Sequence, residues 1–508
     1  MKFKGYTKKQ LLEIYHNMAL SRQLDDKQLI LLKQGKGFFH IGGSGHEAAG
    51  MAAALSFKPG FDYAYPYYRD QAFCLGWGMT SRDHLLAFLA KKEDPSSGGR
   101  QMPQHYGHRE LNIVSQSSST GTQFLQAVGA GFALQRDGEK GVVYVSSGEG
   151  TSSQGDFHEA LNWTSREKAP VIFHIENNHY AISVPIKDQT AGGSVYKISA
   201  GYDNLARFNV EGTDFFETHL AFKKAVERAR KGKGPSLIQS DVVRLLPHSS
   251  SDDQRKYRSE EDLEADRNRD PLLTFANTCI EAGAAKQEEF NKILELVKSQ
   301  VDADAEWAEA QPDPDSNESL KNVYNTVVPK DTPESSPNSG DKIVLVDAIN
   351  HALDEELTHN DKMMIYGQDV AGGKGGVFTA TRGLTDKHGI DRVFNSPLAE
   401  SSIIGTAIGL ATLGYKPVVE IQFGDYIWYG MMQIRNEVAT MLYRSNGDWS
   451  SPIVIRVPIG GYIHGSLCHS QCIEGFFGHL PGLYIAYPSN AADAKGLLKM
   501  ACRMDDPV

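Results

Sequence analysis

Cysteine is scarce. Five residues, Cys74, Cys279, Cys468, Cys472 and Cys502, occur among 508, with no paired CxxC spacing and no pattern that would staple a small secreted fold. Reduced thiols are expected. Long apolar runs are also missing: the stretch 403–413 is broken by Gly and Thr and falls short of the roughly 18 residues a membrane-crossing helix needs. The N-terminus lacks the apolar segment and small-residue cleavage site of an export signal, and carries an amphipathic stretch around Leu11, Leu12, Ile14 and Tyr15 instead. No membrane association is expected, and a cytoplasmic location is. Positive charge is in deficit. A net charge of -11 would repel a phosphate backbone, which makes nucleic acid a poor partner.

What is present suits an enzyme of several domains. Hydrophobic residues make up 40% and charged residues 23%, a soluble globular balance, and the length calls for at least two cores. Residues 311–340 combine Pro, Ser, Asn and acidic residues without an apolar period and read as a linker between a domain at 1–310 and another at 341–508. An amphipathic helix over 288–307 closes the first domain. Before it, short apolar runs at 141–147, 171–176 and 236–242 predict strands, with helices over 123–134 and 219–230 between them. After the linker, 363–366, 416–421, 453–457 and 483–487 predict strands, and 401–413 and 431–443 predict helices. Strand and helix alternate in both halves, so two α/β units with mainly parallel sheets flanked by helices are expected. Ligands of such sheets bind beyond the carboxyl ends of the strands.

The residues immediately after the strands carry the chemistry. Gly148-Glu149-Gly150 follows the first strand and Glu176-Asn177-Asn178-His179-Tyr180 ends the second. A hard divalent cation that bridges a diphosphate takes oxygen ligands, and Glu149, Asn178 and the backbone carbonyl of Tyr180 would supply them. Gly148 and Gly150 would let the backbone approach phosphate, and a helix starting near residues 155–157 would offer free N–H groups. A GxG alone is an ordinary tight turn; the Asn pair about thirty residues on makes it specific.

GEG followed by NN resembles the thiamine-diphosphate motif of transketolase-like enzymes, usually GDG…NN. The Glu in place of Asp resembles the α subunit of branched-chain 2-oxo acid dehydrogenase E1. Tyr67-Tyr68-Arg69-Asp70, residues 99–107 (GRQMPQHYG), Thr122-Gln123, residues 248–253 (HSSSDD) and Tyr257-Arg258-Ser259 extend that resemblance in order and spacing. It implies that Arg69 and His248 contact the cofactor diphosphate, with Tyr68 and Ser118 nearby, and that Mg2+ is the metal. Branched-chain α subunits usually carry Arg just before the NN pair. Glu176 stands there, as in pyruvate dehydrogenase relatives, which removes one phosphate-binding cation and keeps pyruvate or acetoin open as the substrate. Ser249–Ser251 resemble a loop that mitochondrial relatives phosphorylate, but a bare serine run carries over no kinase.

The chain from Lys342 to Val508 is similar to the β subunit of the same enzymes, so both subunits are expected to be fused. Residues 367–370, 392–395, 397–400, 420–426, 464–466 and 469–471 carry this match. The resemblance implies that Glu400 is hydrogen-bonded to the cofactor's pyrimidine N1′ and biases its tautomer, so that the cofactor's own amine can act as base. By itself, a Glu at a helix start is only a good dipole partner. His469, with His464 as a lesser candidate, would deliver a proton to the departing lipoyl sulfur, and Gln422 and Tyr426 would line the substrate pocket with it. CHSQC around His469 does not match a closed zinc site. The family's C-terminal transketolase domain is expected to be absent after Val508. The expected activity is decarboxylation of a branched-chain 2-oxo acid of the 3-methyl-2-oxobutanoate type and acyl transfer to the lipoyl group of an E2 acyltransferase, by a homodimer equivalent to α2β2. A catalytically silent scaffold for E2 is the reading from another class; it has no need of Glu149, Asn178, Glu400 and His469 together.

Overall fold

The computed structural model describes residues 2–325 and 342–508; most of the expected linker, residues 326–340, lies outside them. The described part, 311–325, holds a 3-10 turn at Ser316–Glu318 followed by further turn residues at 319–322. The chain divides into two compact units, one made essentially of residues up to Ser319 and the other from Leu320 onward.

In the first unit, helix α1 (Lys8–Lys33) starts at Thr7, whose hydroxyl caps Gln10 N–H while the Gln10 side chain caps Thr7 N–H. Helix α2 (Glu47–Ala54) is buried throughout, as its run of small residues permits. A five-stranded parallel sheet follows, built from β1 (Tyr63–Tyr65), β2 (Val143–Gly148), β3 (Val171–Asn177), β4 (Ala206–Glu211) and β5 (Ser236–Asp241) in the order β1-β2-β3-β5-β4. Every residue of β3 is buried, the pattern of a strand covered on both faces. Helices α3 (Gly155–Glu167), α4 (Phe215–Arg230) and α5 (Gln287–Glu309) belong to the same unit. Asp214 caps α4 by accepting from Phe216 and Glu217 N–H. Tyr144, Ile172, Phe222 and Ile238 join Phe73 and Trp77 in one core, while α1 and α5 share a second through Leu11, Met18, Phe290 and Val297. The helix expected over 123–134 is observed as Thr122–Arg136.

In the second unit, helix α6 (Leu345–His359) precedes a four-stranded parallel sheet of β6 (Met363–Gly367), β7 (Val393–Asn395), β8 (Lys416–Glu420) and β9 (Val454–Arg456), ordered β7-β6-β8-β9. Helix α7 (Glu400–Thr412), rich in small and apolar residues, is buried along its length, and α8 (Ala491–Arg503) is joined to α6 by Arg503 to Glu356 and Lys499 to Glu355.

Two elements depart from expectation. Residues 483–487 form no strand: Tyr484 N–H reaches Pro507 O at 3.0 Å rather than a neighbour along a ladder. Residues 431–443 are not one α-helix. A π-turn at Gln433–Val438 interrupts them, and only Met441–Arg444 resumes an α-turn. The 3.6-residue period predicts helical winding but not an inserted residue, which is set by tertiary packing. Among the described residues no helix is long and apolar enough to cross a membrane.

Candidate functional site

Parallel register brings the ends of β2 and β3 together. Gly148 pairs with Glu176, so the residues just beyond them, Glu149 and Asn178, leave the sheet side by side. Glu149 opens a tight turn (Glu149–Ser153) ahead of α3, and its Oε2 accepts the Asn178 backbone N–H at 3.1 Å. The side chain is buried, and Oε1 has no hydrogen-bond partner among the described residues. Burial pushes its carboxyl up to about 7, opposed by its own backbone N–H, by that of Asn178, and by Arg244 and Arg69. Asn178 Oδ1 accepts Tyr180 N–H at 3.2 Å, and the neighbouring Asn177 is held by Asp241 at 2.6 Å. Tyr180 and Ala181 then pair with Val184 and Pro185 in a short hairpin.

The two glycines differ in purpose. A Cβ on Gly148 would make only ordinary contacts, none closer than 3.9 Å, with Glu176 and Tyr67, so no protein atom demands glycine there. One on Gly150 would fall 2.5 Å from Ala181 Cβ, so glycine allows the turn to pack on the hairpin. Among the described residues no group of three or more His, Cys, Asp or Glu side chains converges as a metal cage. An orphaned buried carboxylate oxygen beside an Asn fits a hard cation that completes its shell from amide, carbonyl and phosphate oxygens.

The cationic side is built on Arg69. The residue is buried, and Nη1 donates to Gly42 O at 2.6 Å while Nη2 donates to His248 O at 3.0 Å and His248 Nδ1 at 3.1 Å. A guanidinium can only donate, so Nδ1 of His248 is the acceptor and its proton sits on Nε2. Burial, then Arg69 and Arg244, hold His248 down to about 4, so this ring is neutral near pH 7. It offers an N–H and no charge. Arg69 also lies over the Tyr68 ring, 5.2 Å from its centroid, and Tyr68 meets the His248 ring edge-on at 6.1 Å. Ser118 Oγ lies 2.7 Å from Nε2 of His105, whose Nδ1 lies 3.0 Å from Pro103 O.

Glu176 differs from the sequence reading, which treated its position as one that could face phosphate. Its side chain is wholly buried and hydrogen-bonded to Nδ1 of His46, beside Asp70. Burial raises its carboxyl to about 7. Asp70 in turn accepts from Tyr144 OH at 3.2 Å and from Ser146. Sequence reasoning missed this cluster, and it also passed over Arg244, three residues beyond β5. The available signal was a charged residue just after a parallel strand and four positions ahead of His248.

In the second unit Glu400 is the first residue of α7 and is buried, with Gln368, just past β6, donating from Nε2 at 3.4 Å. His469 Nε2 lies 2.7 Å from Tyr426 OH, and the Phe423 ring meets the imidazole edge-on at 4.8 Å. His469, Phe423 and Ile427 contribute to the wall of an apolar cavity of about 500 Å³ that also includes Ile459, Phe477 and Ile485. Tyr426 reaches that cavity through His469, whereas Gln422 donates to Asp369 at 2.7 Å. His464 is exposed in a left-handed turn, φ 57°. Cys468 and Cys472 are free and exposed.

Comparison with known proteins gives two family matches. The profile described as dehydrogenase E1 component matches residues 15–317, and that described as transketolase, pyrimidine binding domain matches residues 341–508. The 2-oxoisovalerate dehydrogenase subunit alpha of Bacillus subtilis (strain 168) is 40% identical over 320 residues, 63% of this chain and 97% of that protein. The 2-oxoisovalerate dehydrogenase subunit beta of the same organism is 52% identical over 163 residues, 32% of this chain and 50% of that protein, so the chain spans about half of its length. The pyruvate dehydrogenase E1 component subunit alpha of Staphylococcus aureus (strain Mu50 / ATCC 700699) is 34% identical over 301 residues, 58% of this chain and 77% of that protein.

Proposed function

The chain belongs to the dehydrogenase E1 component family, oxidoreductases that work with thiamine diphosphate and a divalent metal ion, and on that footing we propose that it decarboxylates a branched-chain 2-oxo acid and passes the acyl group to a lipoyl-bearing E2 acyltransferase. The observation that carries the reading is the Glu149 corner: a buried carboxylate with one unpartnered oxygen, hydrogen-bonded to the Asn178 backbone at the ends of adjacent parallel strands. Glu149, Asn178 and the Tyr180 carbonyl would hold Mg2+. Arg69 and the Nε2–H of His248 would hold the diphosphate, with Tyr68, Ser118, Gly148 and Gly150 around them. When bound, thiamine diphosphate supplies the carbanion chemistry.

The protein's part is orientation and proton placement. Glu400 would keep its carboxyl toward the pyrimidine N1′ from the start of α7, where helix N–H groups favour its charge. His469, fixed by Tyr426, would donate a proton to the lipoyl sulfur, and the hydrocarbon wall around it suits an aliphatic substrate side chain. Domains at 1–310 and 341–508 joined by a linker, assembled as a homodimer equivalent to α2β2, complete the proposal. A cytoplasmic location is part of it.

Pyruvate is kept as a second reading by one feature, Glu176 in place of an arginine. Turnover of 3-methyl-2-oxobutanoate, pyruvate and acetoin with an artificial electron acceptor separates the two, and preference for pyruvate or acetoin rejects the branched-chain assignment. Calorimetry with thiamine diphosphate and Mg2+ rules on a silent scaffold, which would show no metal-dependent binding. Light scattering of a fully active monomer would reject the dimer.

A further inference from the structure

The guanidinium groups of Arg258 and Arg22 are neutralised by carboxylates. Arg258 has a side chain only 1% exposed and pairs with Asp262 and Asp266, each at 2.6 Å; Arg22 is paired with Glu47 at 2.7 Å and Asp270 at 2.9 Å. Arg69 and Arg244 differ. They are 2% and 1% exposed, and among the described residues neither forms an ion pair. Arg69 donates to Gly42 and His248. Arg244 donates from Nη1 to Ile182 O at 3.0 Å and from Nη2 to Tyr257 OH at 2.8 Å, and its Nε is buried without a partner. Its guanidinium lies 5.6 Å from the Tyr180 ring centroid and 5.8 Å from that of Tyr257, which puts it against the hairpin that follows Asn178.

Carrying an ionised group out of water without a counter-charge costs a great deal. A second such group within electrostatic reach adds to the cost: burial, then Arg69, hold Arg244 below the usual arginine value. Arginine does not give up its proton near neutrality. Two guanidiniums without a direct ion pair, together with a neutral His248, are therefore complementary to a group with at least two negative charges and several acceptor oxygens.

We propose that Arg244 is a second cation for the cofactor diphosphate, acting beside Arg69 in a corner where the carboxylate of Glu176 supplies none. This rests on the reading given under Proposed function and deepens it by one side chain. Ile182 and Tyr257 hold the planar fork of Arg244 through one N–H of each Nη, which leaves the Nε–H and one N–H on each Nη for phosphate oxygens.

The test is calorimetry on the full chain with Mg2+ in excess, titrating thiamine diphosphate, thiamine monophosphate and inorganic pyrophosphate into wild type, R244Q and R244K. R244Q is expected to lose about 10- to 100-fold in affinity for the two diphosphate ligands, the size of one charge-assisted hydrogen bond, and clearly less for the monophosphate. R244K is expected to lose roughly three- to tenfold with the same selectivity, because an ammonium keeps the charge but not the fork. An arginine of purely structural importance would weaken all three ligands alike, and that outcome, or unchanged affinities, overturns the proposal. Should R244Q not fold by circular dichroism, R244K decides: an unchanged ratio of diphosphate to monophosphate affinity rejects the role. Loss confined to pyrophosphate would show a free-diphosphate site and reject the cofactor as ligand. Wild type failing to bind thiamine diphosphate would reject the functional reading itself, a result distinct from wild type binding it and R244Q binding it equally.

Discussion

Metal affinity measured across neutral pH probes the Glu149 corner most directly. Burial lifts this carboxyl from its usual 4.5 to about 7. A carboxyl must lose its proton before it can ligate a cation, so affinity falls as pH drops through 7 and levels off above it. With a midpoint near 7, the ionised fraction climbs from roughly a tenth at pH 6 to roughly nine tenths at pH 8, which is about tenfold in affinity. Stability of the metal-free protein runs the other way. The folded-state value is raised, so the contribution of Glu149 is fully present below 4.5 and is lost as pH rises through about 7. The assay is calorimetry with Mn2+ and thiamine diphosphate at pH 6, 7 and 8 in two buffers of different protonation enthalpy, on wild type and E149Q. The variant keeps the diphosphate's own titration and lacks that of Glu149, so the difference between them isolates the residue. Wild type should show the extra tenfold and release close to one proton per metal at pH 6. Parallel pH slopes in the two proteins would refute the assignment of Glu149 as a ligand.

Gly150→Ala should weaken thiamine diphosphate binding about tenfold, because the new Cβ would sit 2.5 Å from Ala181 Cβ and overpacking costs about 1–3 kcal/mol. Adding Ala181→Gly should restore most of the affinity, and a double variant as weak as the single one contradicts the packing argument. Glu400→Gln should slow exchange of the cofactor C2 proton, read by deuterium incorporation, about 100-fold with cofactor affinity little changed; exchange at the wild-type rate removes Glu400 from its role. His469→Ala should impair lipoyl acylation about 100-fold or more while sparing turnover with an artificial acceptor. Tyr426→Phe should produce a smaller defect of the same kind, and equal losses in both assays would mark the histidine as merely structural.

Several residues were legible because their signal is local. Short apolar runs that alternate with helical periods specified the parallel strands at Val143–Gly148, Val171–Asn177, Ser236–Asp241, Met363–Gly367 and Lys416–Glu420, since each strand's burial on both faces is written in its own side chains. GEG and NN, at the ends of two of them, located the corner, and their resemblance to a known motif, with that of the stretches around them, pointed to the family. The segment 483–487 was misread for the same local reason: it has a strand's composition, but a strand also needs a backbone partner along its length, and its recorded bond is to Pro507.

Tertiary structure decided the electrostatics. That His248 is neutral with its proton on Nε2 follows from Arg69, 179 positions away in sequence. That Glu176 turns into the sheet interior follows from His46, 130 positions away. That Glu149 titrates near neutrality and that Arg244 lacks the carboxylates given to Arg258 are likewise properties of burial and of distant neighbours. Periodicity and motif spacing determine which residues arrive at a strand end. The charge state each one holds there depends on desolvation and on partners that only the folded chain brings within hydrogen-bond distance.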